Sequence, residues 1–166
     1  GIKPEGLKLK LMTYTGRPEL AEAANVIKAN LEQAGFTITL DVVEYTTVLE
    51  PKALAKEHDL ILMSRSYYFD MPDAAGYLQS DFGCKGSNNF NVFCDKAFDA
   101  LLQGTATAEK PQERTAIFAT AAQYLIANKV GLPIYHDASR RVLSSRLQNA
   151  MLAPPDQTLL PNKPTL

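Results

Sequence analysis

Leu7-Lys8-Leu9-Lys10-Leu11-Met12-Thr13-Tyr14 alternates apolar and polar side chains and then runs into Thr15-Gly16-Arg17-Pro18. A period of two reads as a strand with one buried face, and the glycine and proline close it in a turn. Pro18 suits the first turn of a helix, and Glu19 and Glu22 suit the positive end of its dipole. Leu20, Ala24, Ile27, Leu31 and Ala34 recur at helical spacing, and Gly35 stands where a helix C-terminus wants a positive φ. Residues 36–45 alternate again, with Phe36, Ile38, Leu40 and Val42 on one side. A short helical stretch follows over 51–57. Asp59-Leu60-Ile61-Leu62-Met63-Ser64 then predicts a third strand, apolar enough to be buried on both faces. Strand, helix, strand, short helix, strand is the order of an α/β layer with helices packed on a sheet. The right-handed crossover rule places the first helix on one face of it.

Working outward from this unit, the character changes after Ser64. Residues 65–95 are rich in Tyr, Phe, Asp, Asn, Ser and Gly and hold one short helix near 74–79. Asp95 is placed to cap a helix carrying Phe98, Leu101 and Leu102. Pro111 opens a longer one with Ile117, Phe118, Ala121 and Leu125 on its inner face. Gly131-Leu132-Pro133-Ile134-Tyr135-His136 reads as strand-like. From Ser144 the periodicity fades, and Ala153-Pro154-Pro155-Asp156 and Leu160-Pro161-Asn162-Lys163-Pro164 read as extended chain with little core to offer.

The totals exclude several functions. With 17 Lys and Arg against 18 Asp and Glu, no basic stripe is available to neutralise a phosphate backbone, which argues against nucleic-acid binding. No apolar run approaches the roughly 20 residues that span a bilayer, and Gly1-Ile2-Lys3-Pro4-Glu5-Gly6 has no signal-peptide pattern. Cys84 and Cys94 form no C-x-x-C pair, and only His58 and His136 could join them, so a structural zinc site is not expected. The cysteine arithmetic leaves a local disulfide and two buried thiols both open. Gly83 and Gly86 miss the spacing of a phosphate-binding loop, and no cofactor is expected.

Arg65-Ser66-Tyr67-Tyr68-Phe69-Asp70-Met71-Pro72-Asp73 follows directly on the expected third strand. In open α/β sheets the carboxyl ends of the strands are where ligands bind. Tyrosines, an arginine and aspartates there can build an apolar wall with a few oriented polar groups. The plainer reading is a surface loop with Asp as turn former and Tyr packed over the sheet. Asp70 and Asp73 as an acid/base pair would need a fixed separation across a cleft, which their spacing does not show. Cys84, His58 and His136 suggest a nucleophile and base, but no catalytic signature surrounds them.

Several blocks then fall in a familiar order. They are Arg17-Pro18-Glu19-Leu20 with Leu31-Glu32-Gln33-Ala34-Gly35, and Asp59-Leu60-Ile61-Leu62-Met63-Ser64 with Asp70-Met71-Pro72-Asp73-Ala74-Ala75-Gly76-Tyr77-Leu78. Asn88-Asn89-Phe90 with Cys94-Asp95-Lys96-Ala97-Phe98-Asp99-Ala100-Leu101-Leu102 comes next, then Glu113-Arg114, Ala122-Gln123 and Leu132-Pro133-Ile134. Over about 7–153 the chain resembles the family-5 solute-binding proteins, the dipeptide-, oligopeptide- and nickel-binding receptors of ABC importers. It departs from their pattern at Ala74, where a proline is common.

The resemblance implies an α/β fold, a mixed sheet flanked by helices in a type II periplasmic-binding-protein-like lobe. Residues 1–143 would be the incomplete second lobe. Residues 144–166 would be a return segment packing on an absent first lobe, with His136 to Arg141 near that return. It implies a disulfide between Cys84 and Cys94 and a role for Asp70 in holding a ligand's α-ammonium. Tyr67, Tyr68 and Arg65 would line the cleft, Arg65 receiving a carboxylate through its fork. The implied protein is a non-enzymatic, extracytoplasmic receptor, periplasmic or at the cell surface. Its partners would be a peptide, nickel chelate or similar solute, the first lobe of the same protein, and a membrane permease of the ABC type. Two rival readings stand beside it: a small hydrolase or transferase using Asp70, Asp73 or His136, and a stand-alone interaction domain whose tail docks on a protein.

Overall fold

In the computed structural model, which describes residues 4–65 and 73–136, the opening unit forms as β1 (Lys8–Tyr14), α1 (Pro18–Gln33) and β2 (Thr37–Val43). Pro18 occupies the first turn of α1 and Glu19 lies in that turn. At the other end Gly35 takes φ +99°, its N–H donates to Glu32 O, and the Phe36 N–H donates to Leu31 O. That pair of bonds is the Schellman closure, which wants glycine at the left-handed position and an apolar residue just beyond it. The chain therefore returns parallel to β1, with Lys8 opposite Thr37 and Tyr14 opposite Val43.

β1 is central in a three-stranded sheet of order β2-β1-β3, and both ladders are parallel. Leu11, Leu20, Ala24, Ile38 and Leu62 form the core between sheet and α1, with Leu9, Ile27, Leu31, Phe36 and Leu40 packed around it. Alternation had suggested one buried face for β1. Instead Leu11, Met12 and Thr13 are all buried, because a central strand is covered on both sides. Thr13 meets the cost of burying a hydroxyl by donating to Leu62 O at 3.0 Å.

The third strand is shorter than its sequence suggested. β3 is Leu60–Ile61, and Leu60 is 37% exposed. The apolar run is not buried on both faces here, because β3 is the edge strand of the described sheet. Before it, Glu44 starts a wide turn over Tyr45–Leu49 that leads into α2 (Glu50–Leu54). Glu44 accepts from the Thr47 N–H at 2.6 Å and from the hydroxyls of Thr46 and Thr47.

Three further helices follow: α3 (Ala74–Phe82), α4 (Lys96–Thr107) and α5 (Pro111–Ala127). Asp95 accepts from the Ala97 N–H at 2.7 Å, and Phe98 and Leu102 are buried, as the helical spacing required. In α5 the inward residues are Ala121 and Leu125. Gly104 permits close approach within this part of the chain, since a Cβ there would meet Ile117 Cδ1 at 3.4 Å.

Contacts divide the chain into two compact units, one of Gly1–Arg65 with Gln79–Asp99, the other of Ser66–Leu78 with Ala100–Leu166. The expected boundary at 143/144 lies outside the described residues, as does the tail. The expected strand at 131–136 does not form. Leu132 is 81% exposed, Ile134 51% and Tyr135 53%, with no strand partner among the described residues.

Candidate functional site

The three parallel strands bring their carboxyl ends to one edge of the first unit. Tyr14 ends β1, Tyr45 lies just beyond β2, and Ser64 and Arg65 follow β3. The Tyr14 and Tyr45 rings meet edge to face with centroids 5.1 Å apart. The Tyr14 hydroxyl lies 3.5 Å from Ser64 O, the outer limit of a hydrogen bond. Burial pushes the Tyr45 phenol up from its ordinary pKa, reinforced by the nearby Glu50 carboxylate. This edge is half-buried, aromatic and flanked by charge, the composition of a small-molecule contact surface.

Arg65 is placed at this edge, but its fork is already engaged. Nε donates to Asp81 Oδ2 at 2.7 Å and Nη2 donates to Asp81 Oδ1 at 2.8 Å. Asp81 is only 7% exposed. Burial pushes its carboxyl up, and the Arg65 hydrogen bonds and charge pull it partly back. Nε and Nη2 of Arg65 thus meet a carboxylate of the chain itself.

Asp73 is held in the second unit. Its Oδ1 accepts from the Ala75 N–H at 2.7 Å, capping α3, and its Oδ2 accepts from Arg114. Arg114 also donates to Thr105 O and stacks over the Phe118 ring, 5.7 Å from its centroid. Both Asp73 oxygens are thus engaged within the chain. His136 lies exposed at the end of the described chain. Tyr67, Tyr68 and Asp70 lie outside the described residues.

Cys84 and Cys94 are joined, Cα atoms 4.3 Å apart, across the loop between α3 and α4. That loop is stitched by directed bonds. Asn89 Nδ2 donates to Gly83 O and Phe93 O, Asn88 Nδ2 donates to Ser80 Oγ, and the Cys84 N–H donates to Asp99 Oδ1. A Cβ on Gly86 would fall 2.2 Å from Ser80 O, so only glycine fits. His58 abuts this loop with its pKa lowered by burial, and its bond to the Phe90 carbonyl pulls the other way. With the cysteines oxidised, a Cys–His nucleophile pair is ruled out. Among the described residues no group of His, Cys, Asp or Glu is arranged to hold a metal.

The chain is 26% identical over 157 residues to di/tripeptide-binding protein 4 of Pseudomonas aeruginosa, covering 90% of this chain and 29% of that protein. No family model matches the chain. Among solved structures it superposes on a nickel ABC transporter protein from Bacillus halodurans with a TM-score of 0.66 and 24% identity, over 76% of this chain and 26% of that one. It also superposes on a periplasmic binding protein from Helicobacter pylori solved with a peptide, with a TM-score of 0.59 and 22% identity, over 76% and 25%. The fold is that of a family-5 solute-binding protein. The chain spans under a third of the length of these relatives.

Within this family-5 fold, the residues that sequence reading missed are Tyr14, Tyr45 and Asp81. Tyr14 and Tyr45 carried a usable signal, since each stands at the carboxyl end of an expected strand. Asp81 carried none: it is one more polar residue on a helix until Arg65 reaches it from 16 positions away.

Proposed function

We propose that this chain is the ligand-gripping part of the substrate-binding component of an ABC importer, and that the solute is a short peptide. The observation that carries the reading is the sequence likeness to a di/tripeptide-binding protein over nine-tenths of the chain. The fold, the aromatic sheet edge and a disulfide suited to an oxidising, extracytoplasmic compartment support it. Residues 1–143 belong to one lobe in this reading, and 144–166 pack on another. Solute is trapped when the lobes close, and the loaded receptor docks on the membrane permease.

Asp70 takes the solute's α-ammonium, because a cation withdrawn from water needs a fixed opposite charge. Tyr67 and Tyr68 are the aromatic members of the solute's contact surface in this reading. In the intact receptor, Asp70→Ala is expected to weaken dipeptide binding by roughly 2–5 kcal/mol in calorimetry. Unchanged affinity would remove Asp70 from the site. The fragment alone is expected to bind weakly, since half a cleft leaves the solute in water.

A further inference from the structure

β2 pairs with β1 along all of its 7 residues, and no strand lies on its other side among the described residues. Successive residues of a strand direct their N–H and C=O groups to opposite sides. The Thr37 N–H donates to Leu7 O, and Val43 O accepts from the Thr15 N–H, so residues 37, 39, 41 and 43 face β1. Ile38, Leu40 and Val42 therefore turn their peptide groups outward, a row that another strand can extend.

The strand itself does little to prevent this. Thr37-Ile38-Thr39-Leu40-Asp41-Val42-Val43 has no proline or glycine and is rich in β-branched residues, a composition that adds strands readily. Its one charged residue, Asp41, is drawn to Lys10 Nζ on β1 at 3.4 Å. The group that does reach the row comes from α1. Lys28 Nζ donates to Ile38 O at 3.0 Å, and Glu32 Oε1 holds the same ammonium at 3.5 Å. That ion pair contributes little to the helix, since lysine N-terminal to glutamate is the weaker order at this spacing. An ordinary surface lysine lays its stem on the protein and keeps its ammonium in water. Here the ammonium sits on the carbonyl that an added strand would need as its acceptor, and sets a charge against any chain laid along the row.

We propose that Lys28, steadied by Glu32, caps the outer edge of β2 and keeps a second copy of this chain from adding its own β2 there. A second copy is the occupant because it carries the same outward row, and two such edges related by a two-fold axis can pair with each other. The cap is independent of which solute the receptor carries.

The test uses the intact receptor with Lys28→Met, which keeps the stem and loses the charge, with Lys28→Arg, and with the double variant Lys28→Met/Val42→Pro. Sedimentation over a concentration series reads association, and hydrogen exchange reads the β2 amides one by one. In the parent the receptor should stay monomeric, and the Leu40 and Val42 amides should exchange roughly tenfold faster than those of Thr39 and Asp41. Lys28→Met should associate about tenfold more strongly, its Leu40 and Val42 amides becoming protected as it does. Lys28→Arg should behave as the parent. Val42→Pro removes an outward N–H and no bond to β1, so the double variant should return to monomer. Should it melt well below the parent, Val42→Lys in the same background takes its place with the same expected result. A Lys28→Met receptor that stays monomeric overturns the cap. So does a parent whose outward amides exchange as slowly as its inward ones, since another part of the receptor then covers the edge. Association that persists in the double variant puts the contact elsewhere and also overturns it.

Discussion

The β1–α1–β2 unit and the Cys84–Cys94 loop belong to the same compact unit and are held by different physics. In the first, Leu11, Leu20, Ala24 and Ile38 are buried against one another, and stabilisation scales with apolar area removed from water. In the loop, single directed contacts do the holding: a disulfide, the two bonds from Asn89, and the Gly86 backbone against Ser80 O. The first kind tolerates exchange of similar shapes and repeats along the sequence. The second depends on individual atoms and has no period.

The largest effect should come from the sheet. Leu11→Ala empties a site that is 2% exposed and should cost roughly 2–5 kcal/mol in denaturant unfolding. A cost below 1 kcal/mol would mean that this core is not the stabilising centre. Opening the loop covalently comes next. Cys84→Ser/Cys94→Ser should lose about 2–3 kcal/mol. Exchange should rise over 83–95 while the β1 amides remain protected, and a β1 that loosened equally would abolish the distinction between the two regions.

A gain is available within the loop. Val92 sits at φ +56° and is 46% exposed, a backbone conformation that β-branched residues resist. Val92→Asn should therefore raise stability by about 1 kcal/mol, seen as a higher melting temperature. The smallest effect lies at the start of the wide turn. The Thr47 N–H and the Thr46 and Thr47 hydroxyls hold the Glu44 carboxyl at about 2 instead of 4.5. A depressed carboxyl contributes stability above its unfolded pKa and loses it as pH falls through the folded one. Acid titration between pH 4.5 and 2 should thus weaken the parent more than Glu44→Gln, slightly, because the group is fully exposed.

The sequence was legible where local chemistry decides. Pro18 and Gly35 bounded α1 because a missing N–H and a left-handed φ act within one turn. Asp95 and Pro111 opened their helices for similar reasons. It was not legible where partners are distant. Asp59-Leu60-Ile61-Leu62-Met63-Ser64 looked like a full buried strand, yet its paired length is set by what lies beside it, which composition cannot report. The expected strand at 131–136 failed for the same reason. At the sheet edge, the partner that Arg65 meets, Asp81, is invisible to any local pattern. The Tyr14–Tyr45 contact joins residues on either side of a whole helix and strand.

Asp59 settles a problem that so short a strand cannot solve alone. Its N–H donates to Lys10 O at 3.0 Å, and its carboxylate accepts the Lys10 N–H at 2.7 Å. A side chain thus replaces one rung of the ladder, and sliding β3 by one residue would break both contacts and turn Leu62 away from the interior. One acidic residue therefore acts as a dowel, setting the phase in which everything after β3 leaves the sheet.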